Sequence, residues 1–252
     1  MRLLNTTTLE LKQFFSNIPP YAILSHTWGE EEVSYQEIDQ PGRDRKKGFA
    51  KILGCCRQAV MDELQWAWID TCCIDKTSSA ELSEAINSMY AWYRDSHVCY
   101  VYLEDISSRG PGADGAPYTV EFYSASWDEI GTKFGLCDEI EAVTTVPRAV
   151  LLGQDNAMEQ CCIAQKMSWA STRETTRVED EAYCLLGLFG INMPMLYGEG
   201  ERVFQRLQEE IIRQTEDYSF LLWTGLRPWI SRNDQDTPPA RFTSTKKGLD
   251  HP

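Results

Sequence analysis

Residues 66–105 read WAWIDTCCIDKTSSAELSEAINSMYAWYRDSHVCYVYLED, and the order of blocks in this stretch decides the fold. Trp66 to Asp70 is a short apolar run closed by a carboxylate, the pattern of a buried strand. Ser78 with Glu81 three residues later forms a capping box. Leu82, Ile86, Met89 and Tyr93 then recur at helical spacing, which predicts a helix over 79–95 with those side chains facing inward. Val98 to Leu103 is apolar without interruption and reads as a further strand. Towards the N-terminus, Tyr21 to Ser25 is a strand after the Pro19-Pro20 break. Between the two, Lys47 to Leu64 places Phe49, Ile52, Leu53, Cys56, Val60 and Leu64 on one helical face. Strand, helix, strand, helix, strand is the pattern of a parallel sheet with right-handed crossovers. Tyr118 to Tyr123 adds a fourth, shorter strand.

From Trp127 onward the pattern changes to helices and loops, so residues 1–125 form a sheet half and 126–225 a mainly helical half. Thr176 and Glu179 read as a second capping box, opening a helix with Val178, Ala182, Leu185 and Phe189 on one face. Gly190 suits a left-handed stop, and Pro194 prevents the next turn from re-forming. A last helix begins near Glu199, with Val203, Phe204, Leu207 and Ile211 as its apolar stripe. The segment 226–252, with Pro228, Asp234, Asp236, Pro238 and Pro239, reads as a loop-like tail.

Bulk properties exclude several functions. A net charge of −14 opposes a phosphate-backbone partner and an anionic membrane surface, so no nucleic-acid partner is expected. No apolar run approaches the roughly 20 residues needed to span a bilayer. MRLLNTTTLELKQFF is too polar for a signal peptide, so the expected location is cytoplasmic. The nine cysteines then read as mostly free, buried thiols. None has Cys-x-x-Cys spacing and the three histidines are scattered, so no metal site is expected.

In open parallel sheets, ligands bind beyond the carboxyl ends of the strands. Ser25-His26-Thr27-Trp28-Gly29 and Asp70-Thr71-Cys72-Cys73-Ile74-Asp75-Lys76 should both land there. Ser25, His26, Trp28, Asp70 and Asp75 are therefore the residues of a candidate pocket, with an indole, an imidazole and two carboxylates suited to a nucleotide-like ligand. The structural alternatives are a turn-capping Asp70, a hydrogen-bonded structural His26 and a Trp28 that plugs the core. Gly110-Pro-Gly-Ala-Asp-Gly115 matches the letters of a dinucleotide loop, but no helix follows it, so it reads as a surface loop.

Three segments, in order, carry a family resemblance: YAILSHTWG at 21–29, the quoted 66–105 stretch, and MSWASTRETTRVEDEAYCLLGLFGINMPMLYGEGE at 167–201. Together they resemble the fungal heterokaryon-incompatibility (HET) domain. The resemblance implies a TIR/flavodoxin-like α/β fold with an added C-terminal helical part. It also implies a signalling domain that triggers programmed cell death on non-self recognition, acting through self-association or recruited protein partners. No cofactor is then required. The alternative activity it implies is a TIR-like NAD hydrolase, with NAD as substrate and an oxocarbenium-like transition state stabilised by a carboxylate. The chain departs from the family after Asp105: ISSRGPGADGAPYTVEFYS replaces a helix ending in Trp-Thr-Leu-Gln-Glu-Leu, whose Glu corresponds by analogy to the catalytic acid. Glu104, Asp105 and Asp114 match no part of that motif, and no catalytic residue is assigned. Within the third segment Trp169, Arg173, Glu174, Arg177, Glu179 and Asp180 read as a salt-bridged brace holding the C-terminal helices on the sheet, in preference to an effector surface, and Tyr197, Gly198 and Glu199 as part of the turn that launches the last helix.

Overall fold

The computed structural model describes residues 1–106, 119–171, 173 and 175–222. Among the described residues, seven strands form one sheet: β1 (Arg2–Asn5), β2 (Leu11–Gln13), β3 (Ala22–His26), β4 (Trp66–Trp68), β5 (Val98–Leu103), β6 (Thr119–Ser124) and β7 (Glu129–Thr132). Their order is β2-β1-β4-β3-β5-β6-β7. The four central strands are mutually parallel, as the blocks of the sequence require. Taken in chain order they are arranged second, first, third, fourth, the winding of flavodoxin-type sheets. β1, β2 and β7 are antiparallel additions at the margins.

These three marginal strands correct the sequence reading. β2 is three residues long and β1 has only Leu3 and Leu4 as apolar members, too few to reveal a period. β7 lies in the region expected to hold only helices and loops, and its Gly131 hides it. The expected β6 began at Tyr118, which lies outside the described residues, as do the Gly110–Gly115 loop and the 226–252 tail.

The crossovers are α1 (Lys47–Met61) and, after the single turn α2 (Asp70–Cys73), α3 (Ser79–Arg94). They run in opposite directions along the sheet, so a common hand puts them on opposite faces. Side-chain contacts agree. On the α1 face, Tyr100 donates its hydroxyl hydrogen bond to Asp62 just past the helix, and Trp127 packs on Gly54. On the α3 face, Trp68 meets Trp92 and Tyr93 edge-on at 5.4 and 6.1 Å, and Tyr21 donates to the Trp92 carbonyl. Each such aromatic pair adds about 0.5–1.5 kcal/mol beyond its burial. α1 stops three residues before the expected Leu64. Glu63 takes a left-handed φ of 60°, and the Leu64 amide reaches back to Ala59 at 2.7 Å. Leu64 is thereby buried, whereas Val60, expected inside, is exposed.

The chain continues through α4 (Cys137–Thr144), α5 (Arg148–Leu151), α6 (Ala157–Gln160), α7 (Ile163–Ser168), α8 (Asp180–Tyr183), α9 (Leu186–Phe189) and α10 (Arg202–Gln214). A second core gathers Ile163, Met167, Ala182, Leu186 and the predicted α10 stripe Val203, Phe204, Leu207 and Ile211. The single helix expected from Thr176 is instead the pair of one-turn helices α8 and α9. The capping box does not form, and Val178 is exposed rather than on the apolar face. Gly190 does provide the left-handed stop, at φ 66°, with the Ile191 amide bonded to the Leu186 carbonyl.

α3 serves both cores. Leu82, Met89, Trp92 and Tyr93 pack on the sheet core, while Ile86 packs on the second one. Asn87 clamps the backbone of Met193 from both sides, donating through Nδ2 to its carbonyl at 3.3 Å and accepting from its amide at 3.2 Å. Gly187 on α9 lies against Tyr90, so close that an added Cβ would sit 2.0 Å from the Tyr90 Cβ. Gly187→Ala is expected to destabilise the fold by about 1–3 kcal/mol through overpacking. In a urea-unfolding cycle with Tyr90→Gly, which removes that Cβ, the loss should shrink; equal losses with and without the Tyr90 side chain would exclude the contact as its cause.

Candidate functional site

β3 ends in Ser25 and His26, and the pleat sends these neighbours to opposite faces. Ser25 turns to the α3 side, beside the Tyr93 hydroxyl, which donates to the Leu24 carbonyl at 3.4 Å, and away from the other pocket residues. His26 turns to the α1 side, where its side chain is 1% exposed. Its Nδ1 lies 4.0 Å from Asp70 Oδ1 and its Nε2 lies 3.8 Å from Glu32 Oε2. Trp28 Nε1 donates to the other Asp70 oxygen, Oδ2, at 2.7 Å. His26, Trp28 and Asp70 are thus brought together around one point. Asp70 opens α2 rather than closing a strand, and its side chain does not cap that turn. Trp28 is 53% exposed, so it is no core plug. Over its ring, 3.3 Å from the centroid, sits the Lys76 ammonium. Asp75 is held elsewhere, accepting from Gln36 Nε2 at 2.6 Å and from Thr77.

Glu32 and Lys51 complete the cluster, and the sequence reading missed both. Lys51 sits on the buried face of α1 with its side chain 7% exposed. It donates to the Thr27 carbonyl at 2.9 Å and to Glu32 Oε1 at 2.8 Å, and lies 3.6 Å from Glu104 at the tip of β5. Glu32 Oε1 also accepts from the Gly29 amide. A signal was present: a lysine within the apolar face of a helix demands a nearby carboxylate, and Glu30-Glu31-Glu32 follows the first strand.

Burial sets the protonation states. It lowers the His26 pKa despite the carboxylates of Asp70 and Glu32, which pull the other way. At 3.8 and 4.0 Å these are contacts of a neutral ring, too long for charge-assisted hydrogen bonds. Burial likewise raises Asp70, against the pull of His26, Lys76 and the Trp28 indole. It lowers Lys76, against Asp70. Glu32 ends below its ordinary 4.5: burial opposes ionisation, but the Gly29 amide and the Lys51 ammonium outweigh it.

The 167–201 block is organised by Glu179. Its Oε1 accepts from the amides of Gly198 at 2.8 Å and Gly200 at 3.1 Å, so although Glu179 is the N-cap residue of α8, its side chain makes no hydrogen bond to that helix start. These amides hold the carboxylate below its usual range. Tyr197 donates to Asp180 at 3.0 Å and stacks edge-on with Tyr183, while the Arg177 guanidinium lies 4.7 Å over the Tyr197 ring. Glu199 pairs with Arg206 of α10 at 2.9 Å. Trp169 is near this block with a buried, unpartnered indole nitrogen, and Arg173 reaches Cys184. Glu174 lies outside the described residues. Among the described residues, the hydrogen bonds and ring contacts of these side chains lie within the helical part, and Ile86, Asn87 and Tyr90 of α3 join that part to the sheet.

Comparison with known proteins returns a family model described as "Heterokaryon incompatibility protein (HET)", matching residues 21–133. The chain carries a HET domain. It is also 43% identical over 221 residues to the vegetative incompatibility protein HET-E-1 of Podospora anserina, a match covering 77% of this chain and 16% of that protein. The chain therefore spans about a sixth of the length of this curated relative. No solved structure matches it.

The matched span of the HET domain begins with β3 and ends just past β7, so it contains the whole parallel core and the strand-tip cluster. Two surface clefts open away from that cluster. One of about 590 Å³ is lined by Glu10, Asp39, Arg43 and Phe49, and one of about 390 Å³ by Ile18, Pro20, Trp92 and His97. Among the described residues, no three of His, Cys, Asp and Glu are grouped to hold a metal ion, and no helix is long and apolar enough to cross a membrane. Six of the nine cysteines are buried free thiols; Cys161, Cys162 and Cys184 are the more accessible ones.

Lys51→Met removes the cation from a buried pair and leaves Glu32 facing an apolar side chain, a loss expected at about 3–5 kcal/mol. Adding Glu32→Gln should restore part of it. Glu32 is held below its ordinary 4.5, so its contribution is present above that value and fades as the pH falls through the lower folded-state value. Urea midpoints of the wild-type and Lys51→Met proteins should therefore converge on acidification; a gap constant across that window would dissociate the loss from this pair.

Proposed function

We propose that this HET domain is the effector module of an incompatibility response, driving programmed cell death through self-association or recruitment of protein partners in the cytoplasm. Residues 1–225 are the working unit in this reading. Its support is the family together with the packing at the strand tips. There, the His26 side chain is buried while Trp28 is exposed and carries Lys76 over its ring, so the chemistry offered to the outside is an indole and a charged rim rather than an open catalytic cleft. An exposed tryptophan ringed by charge suits contact with another protein.

A second reading, a TIR-like NAD hydrolase, draws support from the flavodoxin-type strand order and from Asp70 beside His26 at the carboxyl ends of the strands. Against it, the family's Trp-Thr-Leu-Gln-Glu-Leu motif has no counterpart in the 106–118 sequence. Incubating the purified protein with NAD separates the two. The effector reading expects no nicotinamide release at high protein concentration, with light scattering that reports concentration-dependent oligomers. Nicotinamide release that is abolished in Asp70→Ala would instead establish the hydrolase. Under either reading, expression in a fungal host should kill cells and Trp28→Ala at equal abundance should not; undiminished killing by that variant would remove the strand tips from the effector site.

A further inference from the structure

Four polar atoms at the strand tips are buried and have no hydrogen-bond partner among the described residues: His26 Nδ1, His26 Nε2, Glu32 Oε2 and Asp70 Oδ1. They face one another in two pairs, the imidazole lying between the carboxylates. A neutral imidazole has one N–H and can satisfy at most one of the two oxygens; an imidazolium has two and can satisfy both. Asp70 is shared: Oδ1 faces inward to His26, while Oδ2 binds the Trp28 indole, the ring on which Lys76 rests.

We propose that His26 is a proton-operated switch: when it takes up a proton, the imidazolium draws Asp70 and Glu32 inward, and the outer latch of Trp28 and Lys76 is released. Charge-assisted N–H···O bonds are about 2.7–2.9 Å long, so each carboxylate has roughly 1 Å to travel. Glu32 can make that move while keeping Lys51 and Gly29 on Oε1, because Oε2 is the oxygen that faces the ring. Asp70 cannot do the same without cost to its outer partners. Turning inward weakens the Trp28 bond, and neutralising Asp70 with an imidazolium takes away the anion that attracts Lys76.

The charged surroundings of the ring come from every neighbouring element. Asp70 stands at the start of α2 and Glu32 in the segment after β3. Lys51 projects from α1 and Lys76 from the loop before α3, and both resist charging of the ring. Glu104 and Tyr102 at the end of β5 stand behind Lys51. Burial also favours the neutral ring, so the latch is closed at neutral pH and opens only as the pH falls below the ordinary imidazole value of 6.5. The sign is fixed: a folded-state value below 6.5 means that stability, too, declines on acidification through that window. The switch is independent of the incompatibility reading and stands on the strand-tip geometry alone.

The test is an NMR titration of the full chain from about pH 7.5 to 4.5, following the His26 ring and the Trp28 indole N–H, assigned with Trp28→Phe. The expected result is that both signals share one midpoint below 6.5, and that Trp28 N–H exchange, corrected for intrinsic pH dependence, accelerates about tenfold or more across it. In His26→Gln, which cannot charge, the Trp28 transition should vanish. A His26 ring that titrates while Trp28 stays protected, or midpoints that differ, overturns the proposal using the wild-type protein alone, even if the variant does not fold. A Trp28 transition that persists in a folded His26→Gln protein overturns it as well.

Discussion

A buried ammonium must have anions or carbonyls around it, and in this chain that requirement is met at one place on which the strand tips depend. Lys51 projects from the middle of α1 to the Thr27 carbonyl and the Glu32 carboxylate, tying the segment after β3 onto the crossover helix. Because Glu32 is thereby oriented, its second oxygen faces His26, and because α1 is locked over β3 and β4, Asp70 arrives on the opposite side of the same ring. Trp28 then closes on Asp70, and Lys76 closes on Trp28. The sequence of contacts runs from the interior outward, and each depends on the one beneath it.

The sequence made the central strands and both crossover helices legible, because unbroken apolar runs mark the strands, even three-residue β4, and helical spacing of apolar residues marks α1 and α3. Ser78 caps α3 as expected, though Glu81 completes no reciprocal box and instead reaches the Asp75 amide and Arg2. The marginal strands were not legible: three or four residues with at most two large apolar members express no pattern, and their position is set by pairing with neighbours already in place. At the site, the sequence brought out the residues that follow strands, His26, Trp28 and Asp70. It could not separate Ser25 from them, since the pleat divides adjacent residues between two faces. Glu32 and Lys51 were marked only indirectly, by a lysine within an apolar helical face and a run of glutamates after the strand, because their pairing is a product of the crossover and not of spacing along the chain.

The helical part teaches the same lesson from the other direction. Thr176 and Glu179 satisfy a local rule, yet Glu179 is taken by two amides some twenty residues further on. A carboxylate that can accept two backbone hydrogen bonds from a glycine turn gains more there than at a helix start, and local propensity yields. That turn launches α10, whose apolar stripe closes the second core. α3, wedged between both cores, joins them through Ile86, Asn87 and Tyr90, so the sheet core and the second core share one helix.

The margins of the sheet carry one more consequence. Its outermost strands have three and four residues, so few amides and carbonyls stand unpaired at either border. Such borders are poor templates for adding a foreign strand, which is how many β-rich proteins polymerise. Among the described residues, then, neither border of the sheet favours a hydrogen-bonded ladder lengthened from one copy to the next, and what the sheet offers a neighbour is side-chain surface rather than open backbone.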